Sequence, residues 1–145
     1  MNKAKINELL PKAYDILNET GIADENHVII STYQGYISTF GAAVSGGSLL
    51  AAIAFFSNDK LSDDKRSMVC SKEKLMRALY FLVQEDKSLR KDALFQYIKR
   101  KVLRNGRINL RQEAVYREEL INGAIALKLA MNLYEIDGKK DKLGE

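Results

Sequence analysis

GYISTFGAAVSGGSLLAAIAFF, residues 35 to 56, holds no charged side chain in a chain of 145 residues of which 29% are charged. A segment so unlike its surroundings can span a membrane, cradle a phosphate or fill a core, and the choice decides the fold. A membrane helix needs roughly 20 consecutive, predominantly apolar residues. Ser38, Thr39, Gly41 and Ser45-Gly46-Gly47-Ser48 interrupt the segment, leaving only Leu49 to Phe56 densely apolar, which is too short to span. Gly41 to Ser48 matches G-x-x-x-x-G-K-[ST] everywhere except at the lysine, where Gly47 stands. That lysine supplies the charge that meets the β- and γ-phosphates, and the residues before Gly41 read as helix rather than as the buried strand a phosphate loop follows. The core reading remains: two helices joined at a Gly-Gly corner, with small residues allowing them to approach closely.

A 145-residue chain with 46% hydrophobic residues suffices for one domain with one ordinary core, residues 1–145. The single cysteine, Cys70, excludes an internal disulfide framework, and Met1 to Asn18 lacks the apolar run of a secretory signal. These features set the expectation of an intracellular, cytoplasmic protein with no membrane partner.

Working outward from the uncharged stretch, Ile6, Leu9, Leu10, Ala13, Ile16 and Leu17 recur at helical spacing before Gly21. Pro11 lies inside that pattern, so the helix either kinks or begins there. Val28-Ile29-Ile30 is read as helix, because no second strand-like run is evident to pair with it. Tyr33, Tyr36, Ile37, Phe40 and Val44 continue at spacings of three and four, and Leu49 to Phe56 forms the helix beyond the corner. Lys60 to Ser67 reads as an exposed charged loop. Ser71 is placed to cap a helix carrying Leu75, Met76, Leu79, Leu82 and Val83, and Ser88 to cap another from Leu89 to Arg104, ended by Asn105-Gly106. A last helix is expected from Asn109 to Asp137, most buried from Leu120 onward, followed by a frayed tail over 138–145. The expected fold is all-α, a compact bundle of about six helices.

Catalytic chemistry is hard to assemble from these residues. His27 and Cys70 are each the only residue of their kind, too few for a zinc site and far apart for a Cys-His or Ser-His nucleophile. Ser71 to Lys74 matches S-x-x-K but reads as a helix cap followed by exposed charge. Asp63-Asp64 are adjacent carboxylates in a loop and lack a preorganised metal site. The expectation is a protein that is not an enzyme, with no metal, no cofactor and no small-molecule substrate.

Charge is distributed unevenly. Lys87 to Arg117 holds ten Lys or Arg against Asp92 and Glu113, while the whole chain carries only +4. On the helix expected there, Leu94, Ile98 and Val102 make the inward stripe, with Gln96, Arg100 and Arg104 on the opposite face. A basic region on an otherwise slightly acidic domain is the footprint expected for a polyanion partner.

An amphipathic first helix, then Tyr33-x-x-Tyr36-Ile37 leading into Gly46-Gly47-Ser48-Leu49-Leu50-Ala51-Ala52-Ile53-Ala54-Phe55, resembles the small helical subunit of the type III-B CRISPR RAMP-module complex, the Cmr small-subunit family. Tyr116-Arg117 followed by Ala124-Ile125-Ala126-Leu127-Lys128-Leu129-Ala130 is similar to the family's C-terminal part. Leu129 stands where the family often carries a second basic residue, so no nucleic-acid contact is carried over to it. The resemblance implies a non-catalytic subunit of an RNA-guided antiviral effector, present in several copies beside the backbone subunits, with guide and target RNA, other RAMP-module subunits and copies of itself as partners. On that basis Lys99, Arg100, Lys101, Arg104, Arg107 and Arg111 are the expected RNA-phosphate contacts, leaving sequence choice to the guide. The competing expectations are a helical adaptor that binds only protein through its basic face, and a DNA-binding regulator, for which Asn105-Gly106 between basic segments is the one hint.

Overall fold

The computed structural model describes residues 1–58, 70–84 and 90–138. Six helices occupy most of them: α1 (Lys3–Glu19), α2 (Thr32–Gly46), α3 (Leu49–Phe56), α4 (Lys72–Val83), α5 (Ala93–Val102) and α6 (Leu110–Met131). Four short strands accompany them: β1 (Val28–Ile30), β2 (Leu103–Arg104), β3 (Arg107–Ile108) and β4 (Glu135–Asp137). The helical bundle is therefore as expected, and "all-α" is true only approximately.

The uncharged stretch does fill a core, through one face. From α2 it buries Ile37, Phe40 and Val44, and from α3 Leu49, Ala52, Ile53 and Phe56. The Phe40 and Phe56 rings meet edge to face at 5.4 Å between centroids, the arrangement the ring quadrupoles favour. Ser48 supplies the cap that restarts the helix, its hydroxyl accepting from the Ala51 N–H. Gly41 to Gly46 thus forms the C-terminal part of α2, where carbonyls rather than phosphate-binding N–H groups project. No helix of the described residues is long and apolar enough to cross a membrane.

Gly35, Gly41 and Gly46 of this stretch do not serve close helix approach, while Ala52 packs in the core. A Cβ added at Gly35, Gly41 or Gly46 would meet nothing within 4 Å, whereas one at Gly123 of α6 would come within 3.3 Å of Leu79 in α4. Gly123 is the helix-interior glycine that lets α6 lie close against α4. Because glycine costs a helix interior about 0.5–1 kcal/mol relative to alanine, Gly41→Ala is expected to raise stability by about that amount in urea unfolding. Destabilisation by Gly41→Ala would mean that the surface beside it is covered.

α6 is the hub, contacting α1, α2, α4 and α5. It buries Leu120, Asn122, Gly123, Ala124, Ala126, Leu127, Ala130 and Met131, as its apolar second half requires. Asn122 is the buried polar exception, and its side-chain oxygen accepts from the Asn2 N–H at 3.0 Å. Asn2 in turn caps α1 by accepting from Lys5 N–H, so α1 begins at Lys3 and Pro11 lies within it.

Three expectations are overturned. Val28–Ile30 is a strand, paired in parallel with Glu135–Asp137, Ile29 opposite Ile136. A last helix running through Asp137 leaves no partner for this strand; α6 instead stops at Met131, and the Tyr134 hydroxyl donates to the Tyr14 carbonyl while its ring stacks on Tyr14 at 4.7 Å. That docking turns the chain back alongside β1. Similarly, α5 ends at Val102, and Arg104 lies on a strand rather than on a helix face. Leu103–Arg104 and Arg107–Ile108 form a hairpin whose turn residues Asn105 and Gly106 have φ of 54° and 76°. Positive φ at both central positions is the type I′ geometry for which Asn-Gly is the favoured dipeptide. The loop at 60–67, the cap at Ser88 and the tail beyond 138 lie outside the described residues.

Candidate nucleic-acid interface

The fold gathers the predicted cations at one end of the bundle, over the last turn of α5, the β2–β3 hairpin and the first turn of α6. Arg100, Lys101, Arg104, Arg107 and Arg111 are exposed, and Lys99 is half-buried. Both carboxylates of the basic window are already engaged elsewhere. Asp92 takes the Arg90 guanidinium in two hydrogen bonds of 2.9 Å, which holds its carboxyl below the usual range, and Glu113 pairs with Arg117 at 3.2 Å. Among the described residues none of the six predicted cations closes an ion pair.

Local stability explains only half of this arrangement. Lys99, Arg100 and Lys101 occupy the last turn of α5, where positive charge complements the helix dipole. Arg104 and Arg107 face each other directly across the hairpin, and like charges in that relation destabilise a strand pair. Arg111 sits in the first turn of α6, the end of a helix that disfavours cations. These three charges are therefore placed where they cost the fold some local stability.

Arg117, the tenth cation of the window, has a different task. Its guanidinium donates to the carbonyls of Val44 and Gly47, the latter at 2.9 Å, and so closes the C-terminal end of α2 at the Gly-Gly corner. The sequence offers no sign of this, because the contact joins residues 73 and 70 positions apart. Lys128 likewise donates to the Ser38 hydroxyl at 2.6 Å, tying α6 to α2. Arg117→Ala is expected to cost about 1–2 kcal/mol of unfolding free energy, since carbonyls lose a charged donor, and to free the Glu113 carboxylate at the start of α6.

Beneath the cations lies a tyrosine ladder. Tyr97 meets Tyr80 at 6.2 Å and Tyr116 at 6.0 Å, both edge to face, and the Lys101 ammonium lies 5.8 Å from the Tyr97 ring. Burial, with the Glu119 charge adding, pushes the Tyr97 phenol up to about 12, so it brings no negative charge to the surface at neutral pH. Glu119 itself is half-buried; burial pushes its carboxyl up, and Lys5 and Lys101 pull against that shift. The packing of α1 on α6 brings Lys5, from the opposite end of the chain, within electrostatic reach of Glu119.

Apolar side chains interrupt the charge. Ile108 is 39% exposed, Leu110 76% and Val115 53%, all within or just after the hairpin. Elsewhere, Ser71 caps α4, its hydroxyl accepting from the Lys74 N–H at 3.1 Å, and Cys70 is buried. His27 is exposed in the left-handed region, φ 62°, with its ring 5.9 Å from Tyr134. Asp63 and Asp64 lie outside the described residues. Comparison of the chain with protein-family models, with curated proteins and with solved structures finds no match.

Proposed function

We propose that this chain is a non-catalytic RNA-contacting subunit of an RNA-guided assembly, of the kind its sequence resembles: the small helical subunit of a type III-B CRISPR RAMP-module effector acting in antiviral defence. The observation that carries the reading is the set of charges kept against local stability, Arg104 opposite Arg107 and Arg111 on a helix N-terminal turn. Together with Lys99, Arg100 and Lys101 they make a surface suited to neutralising backbone phosphates without reading bases. One copy offers only a handful of such contacts and binds weakly; several copies held side by side by the backbone subunits gain by multivalency. Sequence choice belongs to the guide and cleavage to other subunits.

A second reading, a helical adaptor that binds only protein, is favoured by the exposed Ile108 and Leu110 amid the cations, since apolar anchors ringed by charge suit a protein surface. The DNA-regulator reading loses its one hint, because Asn105-Gly106 turns a hairpin rather than joining two helices. A tagged pull-down from the native host separates the remaining two. Co-purification of RAMP-type subunits with short guide RNAs, and dissolution of the assembly by nuclease, supports the first. A protein partner retained after nuclease treatment, with no RNA, selects the adaptor.

A further inference from the structure

Resting on the RNA-contact reading above, we propose that Leu110 is a wedge that enters a base step of the RNA held on this surface and unstacks it, while Arg107 and Arg111 hold backbone phosphates beside the opened step. Leu110 is 76% exposed, the most exposed of the large hydrophobic side chains among the described residues, and it takes no part in the core. It is the first residue of α6 and lies in the chain between Arg107 and Arg111, both of them exposed. Among the described residues neither arginine closes an ion pair. The Cα atoms of Arg111 and Arg107 are about 4 Å and at most about 11 Å from that of Leu110. One apolar side chain thus stands between two cations that a phosphate can reach from solvent.

A wedge needs a fixed mount, and the backbone is held on both sides of Leu110. Before it, Ile108 pairs with Leu103 across the hairpin, and the Asn109 N–H donates to the Val102 carbonyl at 2.7 Å. Beyond it, the Asn109 side-chain oxygen accepts from the Gln112 N–H at 3.0 Å, capping the helix that carries Leu110. An A-form RNA helix has a major groove too deep and narrow for side chains to read and a minor groove that is wide and shallow. A short side chain at the start of a helix therefore meets the base edges from the minor-groove side. Leucine is among the residues that wedge into base steps and kink a duplex. Burying this leucine recovers hydrophobic free energy of the same order as the unstacking costs. The wedge accordingly changes the shape of the bound RNA more than its affinity, and it reads no sequence. A mismatched step is the cheapest to open, so the wedge settles there.

The test uses the intact chain at low salt and a short RNA duplex carrying 2-aminopurine, whose fluorescence stacking quenches, beside a central mismatch. Saturation with the wild type is expected to raise the fluorescence on the order of twofold, as the opened step releases the base from its neighbour. Leu110→Ala is expected to lose most of that rise while affinity stays within about threefold and the salt slope is unchanged, because no phosphate contact is removed. Leu110→Phe, a wedge of another shape, should keep the rise. Leu133→Ala removes a leucine that is 64% exposed beyond the other end of α6, and should change neither signal nor affinity. A wild-type complex that forms without a fluorescence rise, or a rise equally large with Leu110→Ala, overturns the wedge and leaves the interface standing. If the double variant Arg104→Gln/Arg107→Gln binds as tightly as the wild type with the same salt slope, or if the wild type does not bind, the RNA-contact reading fails and the wedge with it. Leu110 lies outside the core, so its replacement keeps the fold and a lost signal reports the RNA contact.

Discussion

Replacing Arg100, Arg104, Arg107 and Arg111 together by glutamine is expected to lower RNA affinity on the order of 100-fold near physiological salt, and to flatten the dependence of log K on log salt by roughly three. Each lost phosphate contact removes the release of condensed counterions, so loss of affinity and loss of slope come as a pair. The same variant should be no less stable than the wild type. Relief of the Arg104–Arg107 repulsion across the hairpin and of Arg111 against the α6 dipole, about 0.3–1 kcal/mol apiece, outweighs the similar single cost of losing Arg100 from the last turn of α5. Weaker binding with equal or greater thermal stability identifies the charges as kept for a partner. Lower stability with unchanged RNA affinity would assign them to the fold and refute the interface.

Phe40→Ala carries the largest expected effect on stability, a loss of about 3–5 kcal/mol. Phe40 is fully buried, stands edge to face against Phe56, and lies where α2 meets α3. For a domain of ordinary stability, about 5–15 kcal/mol, this is roughly a fifth or more of the total, and the midpoint of thermal unfolding should fall by about 10 °C or more. Urea unfolding with an unchanged slope measures it directly. A loss below about 1 kcal/mol would mean that the uncharged stretch is peripheral to folding.

Helices whose signal is local were legible in the sequence. Apolar spacing placed α1, α2, α3 and α4, Ser71 announced its cap, and the charge count located the basic end. What failed was non-local. Val28–Ile30 looked unpartnered because its partner, Glu135–Asp137, is polar in composition and follows directly on the most apolar helix, so nothing in its own residues announces a strand. Tertiary docking of Tyr134 on Tyr14 makes it one. The hairpin is a different kind of miss: Asn105-Gly106 was read as a helix stop, although the same dipeptide is the strongest short hairpin signal, because Lys99 to Arg104 continued the helical spacing too well. Of the candidate site, charge clustering gave the six residues. It could not reveal that Arg117 is committed to α2, since that follows from the packing of α6 against a helix distant in sequence.

The most direct measurement is ultraviolet crosslinking of the native assembly, followed by mass-spectrometric identification of the peptides of this chain that carry nucleotides. The account predicts RNA adducts between Lys99 and Arg111. Adducts confined to other subunits, with the Lys99–Arg111 peptides recovered only in protein–protein crosslinks, would contradict it.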